Sequence, residues 1–497
     1  MRQRFEQQLN LRTIAVSDVK LPMKSRDELP PVLLALQHIF ITPVLNEQVF
    51  SLLEKKVIGN KKKTGRKGMD LWHILVLAVV RHACNTNWDT LETWANHHEL
   101  VRKLMGVHAT AFIEEEKLEF NHQTIIDNVS LIDEELLHQI NELVVDAGHK
   151  LVKKKEDECM VLKTDSYVLE TNVHFPTDLN LLWDSLRKCL DMVEKLNKIS
   201  SIKGWRKIKS LRMSLKSIFR ATSHQVFKGK KEKEKKRYVK EYLTEAKALQ
   251  KRVSEIILNP PLVADKTIQI AAIIIQLEKY KKFTTLFTDQ IERRLIKGEI
   301  IPASEKIYSI FEEHTEWITK GKLNKRVELG HLLLITTDQY QFIVDYHVME
   351  KQKDATQVRA LCTRLEKKAN GKKIQSHSFD KGFWSKDNYA VLKESEVGEV
   401  VLPKRGRKSK EDKERESTPT FKALRNEHSA VESNINMLEH HGLNRCMDKG
   451  IKGYKRCVGL SVLAYNLHIL GNALKAKVKV EEEKRGKALI RSLRQAA

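Results

Sequence analysis

The stretch CMVLKTDSYVLETNV (159–173) is rich in β-branched residues and reads as a strand. HFPTD breaks it: Pro176 ends the strand, and Thr177 or Asp178 can cap a helix. From 178 to 330 the texture is helical. LNLLWDSLRKCLDMVEKL and DKTIQIAAIIIQLEKYKKFTTLFTDQIERRL both place apolar residues at a 3.6-residue period. A strand needs partners, so residues 178–330 read as a long all-α insertion into a sheet whose other strands come later.

Those strands follow at once. HLLLITTDQYQFIVDYHVM reads as two strands around a turn near Asp338–Gln341. DATQVRALCTRLEKKA is a helix, KIQSHSFD a strand ending in an acid, SKDNYAVLKES a helix and EVVLP a strand. After the basic loop KRGRKSKEDKER comes RNEHSAVESNINMLEHHGLNRC. Val431, Ile435 and Leu438 mark its apolar face, and Gly442 sits where a C-cap would end it. Without the insertion the order is β-β-β-α-β-α-β-α, an α/β mixed sheet with flanking helices.

Residues 1–150 read as a helical N-terminal domain for DNA binding or dimerisation. DLWHILVLAVVRHA starts after Asp70, a plausible N-cap, and NTNWDTLETWANHHELVRKLMG supplies a short helix pair. NHQTIIDNVSLIDEELLHQINELVVDAG is amphipathic and is expected to stop at Gly148, before the linker HKLVKKKEDE. The basic connector KKVIGNKKKTGRKG, with Arg66 and Lys67, precedes these helices and suits DNA binding; a plain helical bundle fits equally well. Residues 476–497 read as a basic C-terminal tail.

Charge narrows the partner. Lys and Arg number 89 against 65 Asp and Glu, a net charge of +24, which favours a polyanion such as DNA. The longest apolar run, IQIAAIIIQL, is far short of the roughly 20 residues a spanning helix needs, so no membrane is expected. The N-terminus lacks an apolar signal-peptide core. The six cysteines form no CxxC pair and no zinc-type Cys/His spacing, so free thiols in a reducing cytoplasm are expected.

Acids at the ends of neighbouring strands can meet. Asp165 lies in the first strand, Asp380 ends SHSFD, and Glu432 projects from the last helix. Three converging carboxylates would make an all-oxygen site of the kind Mg²⁺ or Mn²⁺ prefers. Singly, each has a plainer reading: Asp165 ends a strand, Asp380 opens the turn DKGF, and Glu432 faces water.

At this point a resemblance enters. VLKTDSYVLETNVHFPTDLNLL, with Asn172 and HFPTD, resembles the first catalytic block of bacterial insertion-sequence transposases of the DDE type. VELGHLLLITTDQYQFIVDYHVM is similar to their strand hairpin. SHSFDKGFWSKDNYAVLK is similar to their second block, with Phe383 in place of a tyrosine. RNEHSAVESNINMLEHHGLNRCMDKGIKGYKRCVGLSVLAYNLHIL resembles the third, and GRKGMDLWHILVLAVVRHACNTNWDTLETWA the helical N-terminal domain. The likeness is greatest to the ISNCY-type group. It implies a ribonuclease-H-like catalytic core over 159–177 and 331–475 and two divalent ions, Mg²⁺ or Mn²⁺, held by Asp165, Asp380 and Glu432. It also implies cleavage at element ends and transfer of the freed 3′-OH into target DNA. The implied setting is a homodimer on prokaryotic nucleoid DNA, with no small-molecule substrate. DNA contacts are expected from Arg66, Lys67, Lys404, Arg405, Arg407, Arg425, His428 and Arg445. Many relatives set Tyr, Arg and Lys at −7, −4 and +7 from the glutamate; this chain has Arg425, His428 and Glu439. The lysine's work would pass to Arg445 or to the insertion. A nuclease without strand transfer, and a domesticated non-catalytic DNA-binding protein, are the alternatives.

Overall fold

The computed structural model describes residues 2–5, 14–59, 68–107, 118–153, 158–319, 326–369, 373–395 and 397–496. The chain divides into two compact units, residues 1–172 with 330–497, and residues 173–329.

The first unit opens, among the described residues, with the α-helices α1 Leu29–Ile41, α2 Pro43–Leu53, α3 Leu71–Ala83, α4 Trp88–His97, α5 Glu99–Leu104, α6 His122–Val129 and α7 Glu134–Val152. Caps set several starts. Asn87 accepts from the Thr90 N–H and Asp133 from the Leu136 N–H, each satisfying one of the first-turn donors. The helix expected to stop at Gly148 runs on to Val152. A Cβ at Gly148 would lie 2.2 Å from the Phe342 ring, so this glycine serves close packing and not termination. Expected as one helix, the same stretch is two, α6 and α7, broken at the Ser130–Asp133 turn.

Strand β1, Met160–Thr171, follows. Later in the chain come β3 Val327–Thr337, β4 Ile343–Met349, α12 Asp354–Ala369, β5 Ile374–Phe379, α13 Lys386–Glu394 and β6 Val397–Val401. Then come α14 Lys410–Ser417, α15 Pro419–Glu427, α16 Ala430–Leu438, β7 Arg445–Cys446 and α17 Gly450–Ala496. One mixed sheet runs β2-β3-β1-β5-β6, where β2 is Glu316–Thr319; β4 also pairs with β3 and β7 with β1. β1 is antiparallel to β3, in a register that sets Glu170 opposite Gly330. β3 and β4 form the antiparallel hairpin expected around 338–341, while β1, β5 and β6 are parallel. The expected order holds for these strands, and two short strands, β2 and β7, were not foreseen.

Both sheet faces are covered. Leu162, Leu334 and Phe379 join one core with the N-terminal helices, α12 and α17. Tyr167, Leu169, Leu333 and Ile335 face the other way, against Val431 and Leu438 of α16 and Tyr454, Val458 and Val462 of α17. The period-2 alternation of β1 divides these two sets. Residues 1–150 therefore do not stand as a separate domain: α1, α3 and α7 pack on α17 and share its core.

α17 corrects one expectation and bears on another. The segment 476–497, expected as a tail, continues this helix to Ala496. By length and composition its Gly450–Lys487 portion could cross a bilayer, although no apolar run revealed it; its apolar window is 72% buried in the protein. Ser461 and Asn466 interrupt the run, yet both are buried and bonded. The Asn466 amide reaches Asn141 and the Ile343 carbonyl, and its own oxygen accepts the Ile343 N–H.

The second unit contains α8 Asp178–Ile199, α9 Ile208–Lys228, α10 Glu232–Leu258 and α11 Thr267–Ile291, then β2 and the first residues of β3. Thr177 caps α8 through the Asn180 N–H, one of the two caps expected there. Leu182, Leu186, Leu190 and Val193 form the stripe of α8 that packs on α11.

Candidate functional site

Asp165 and Asp380 are brought together by strand register. β1 and β5 are parallel neighbours, and Thr164 is paired with Phe379, so Asp165 and Asp380 are each the next residue along. Adjacent strands lie about 4.8 Å apart. Phe379 and Thr164 are buried on one face, which turns the two acids to the other. That second face is where α16 docks, through Val431 and Leu438. Glu432, between them, is exposed. The helix is broken just upstream: α15 ends at Glu427, and α16 begins at Ala430 with Glu432 N–H tightened onto the Ser429 carbonyl. At its far end the chain turns through Gly442, whose φ of +91° suits glycine, so the expected C-cap is in place.

The electrostatics agree with this convergence. Burial first, then the negative charges of Asp380, Asp354 and Glu432, push the Asp165 carboxyl up to about 6, against the Ser166 N–H that it accepts at 2.7 Å. Asp354 was not anticipated from the sequence. It opens α12, accepts from Ser166 Oγ at 2.7 Å, and its other oxygen would sit 3.0 Å from a Cβ on Gly382. The glycine of DKGF thus leaves room for the Asp354 carboxylate beneath the turn. An acid beginning a helix looks like ordinary N-terminal charge placement, so nothing in the sequence marked it.

A raised carboxyl pKa has a definite sign. The folded state binds this proton more tightly than the unfolded chain, so without divalent cations stability from this group falls as pH rises from about 4 to about 6. The shift is worth about 3 kcal/mol. Asp165→Asn should therefore raise the melting temperature in chelator at pH 7 and have little effect at pH 4. Equal shifts at both pH values would contradict this.

Other expected residues are placed as follows. Arg66 and Lys67 lie outside the described residues. Arg405, Arg407 and Arg425 are exposed. Lys404 is tied to Asp412 and lies 5.8 Å from the Trp384 ring, which fits a structural anchor more than a free DNA contact. His428 sits beside the acids: its Nδ1 is 2.9 Å from Ser378 Oγ, and its Nε2 is buried with no hydrogen-bond partner. Burial lowers its pKa, Asp380 raises it and Lys163 lowers it. Arg445 pairs with Glu170 at 3.1 Å, five residues along β1 from Asp165 or about 17 Å at the usual rise. It is therefore not placed to replace a lysine beside the three acids.

Among the described residues, one group of His, Cys and acid side chains brings its ligand atoms within 4.8 Å of one another: His82, Asp448 and Cys457. The three acids are more widely spread than that. The compact group is already satisfied from within. Arg81 holds Asp448 by two bonds of 2.6 and 3.1 Å, while His82 contacts Ser461 Oγ at 2.9 Å and Arg81 at 3.2 Å. All six cysteines are free. Compared with protein-family models, curated proteins and solved structures, the chain matches none.

Proposed function

We propose that the protein is a DNA transposase of the DDE type on a ribonuclease-H-like core. The observation that carries the reading is the adjacency of Asp165 and Asp380 at the ends of two parallel strands, on the face where α16 supplies Glu432. Topology supports the finer fold: β1, β3 and β4 make an antiparallel meander, and β5 and β6 are added in parallel across helices on the other side of β1.

The donor set suits Mg²⁺ or Mn²⁺, being carboxylate oxygen alone. The raised Asp165 pKa reflects burial first, and then the negative charges of Asp380, Asp354 and Glu432 around it. Asp165, Asp380 and Glu432 would hold two ions. When bound, such a pair activates water or a 3′-OH and stabilises the leaving oxygen of a phosphodiester. The chain's own residues do the rest. Ser166 N–H fixes the Asp165 carboxylate. His428 packs on Ser378 through Nδ1 beside the acids. Arg405, Arg407 and Arg425 offer exposed charge to the DNA backbone. Removing Arg405 and Arg407 together should weaken DNA binding for all sequences and reduce the salt slope by about 2; an unchanged slope would remove them from the interface.

The test combines protein, Mg²⁺, a plasmid and DNA bearing the repeats that flank the gene. Joined product is the expected result. Cleavage without joining under any condition would favour a nuclease, and binding alone a non-catalytic DNA-binding protein.

A further inference from the structure

The second unit carries a cleft that the three acids do not explain. It has a volume of about 460 Å³ and is lined by Phe175, Phe227, Tyr308 and Trp317, with Arg294 and Lys306 in the same wall. The rings form a cluster: Phe175 and Tyr308 each lie 5.5 Å from Trp317, at interplanar angles of 61° and 34°. Much of this aromatic surface is open to solvent. Phe175 and Phe227 are each 60% exposed and Trp317 is 38% exposed. Solvated rings held in a concave site are what a flat ligand can cover.

Charge identifies the ligand class. Arg294 bonds Asp178 at 2.8 Å but is still 43% exposed, so donors remain for an anion. Phe227, also in the lining, leads into the exposed Lys228 and Lys230 and then a mixed run in which Lys231 pairs with Glu234. An uncharged aliphatic occupant would gain from the rings and nothing from the cations. Duplex bases are stacked on each other and cannot enter. An unpaired base joins a π-face to a phosphate, which matches both halves of the cleft.

We infer that this cleft takes one unpaired nucleobase of a DNA strand, stacked on the Trp317 cluster, with its backbone phosphate on Arg294 and Lys306. The inference rests on the reading of the protein as DNA-binding, and Phe175 follows β1 by only four residues, so the same segment that carries Asp165 leads into the cleft.

The full-length protein can be titrated with a labelled duplex bearing one bulged 2-aminopurine, and with the same duplex bearing a bulged abasic site. The base should bind about tenfold tighter than the abasic site, within the range of single-base stacking, and its fluorescence should fall on binding. Trp317→Ala should make the two duplexes equal, while Trp317→Phe keeps most of the preference. Circular dichroism checks that each variant is folded; Phe175→Leu, which should reduce the preference, gives a second variant should Trp317→Ala misfold. Equal affinities with the wild-type protein, or a preference that survives Trp317→Ala, overturn the inference while leaving DNA binding intact. No binding to either duplex overturns the DNA reading itself, and the inference with it. A Trp317→Ala protein that changes sedimentation but not base preference makes the cleft a protein–protein contact and also overturns it.

Discussion

Asp380→Asn should reduce the proposed strand cleavage by at least ~10²-fold and leave both folding and the proposed DNA binding near wild type. The side chain has no part in the fold. It is exposed, lies one residue beyond β5 and makes no capping bond to the turn it begins; only its backbone carbonyl is used, by the Phe383 N–H. An isosteric change at such a position stays within about 0.5 kcal/mol in stability. The loss should therefore be read in the reaction and nowhere else. Cleavage of labelled repeat DNA in Mg²⁺, anisotropy in chelator and a thermal melt make the three measurements. Glu432→Gln should behave alike, since Glu432 is also exposed. A Glu432→Gln enzyme that stays active beside a dead Glu439→Gln enzyme would show the wrong glutamate has been chosen.

The largest stability effect is expected at Asp448. Its carboxylate and the Arg81 guanidinium are 6% and 7% exposed, and Arg81 also lies 3.8 Å over the Trp88 ring. Asp448→Ala would leave a buried cation with its main partner gone, at a cost of about 3–5 kcal/mol. Urea denaturation should find the midpoint shifted accordingly. Replacing both residues together, Arg81→Met with Asp448→Leu, should recover much of that loss, because the uncompensated charge goes with its partner. A single Asp448→Ala variant within 1 kcal/mol of wild type would mean water reaches Arg81.

The sheet was legible because its strands carry their own signals. A β-branched run closed by Pro176 gave β1, and the stretches flanking the 338–341 turn and leading into the DKGF turn gave β3, β4 and β5 near their observed limits. The expected adjacency of Asp165 and Asp380 needed only the assumption that these strands are neighbours. What stayed hidden depends on distant packing. Gly148 resembles a helix stop until Phe342 is seen against it. Asn466 interrupts an apolar run until it is seen bonding the edge of β4. Asp354 resembles a first-turn acid until Ser166 is found at its oxygen. Nor could charge alone tell Arg445, held by Glu170, from a residue available to DNA.

The register of β1 and β3 has a kinetic consequence. Glu170 faces Gly330, so β1 and β3 are paired from the ends that their connection joins, as the strands of a hairpin are. Its connection is the whole of residues 173–329. Closing so long a flexible loop costs about 3 kcal/mol more than closing a four-residue turn. That cost is reduced if the connection collapses first and brings its own ends together. The second unit should then acquire protection against hydrogen exchange before β1 and β3 do, and weakening its core, for instance at Leu186, should slow the pairing of strands to which Leu186 does not belong.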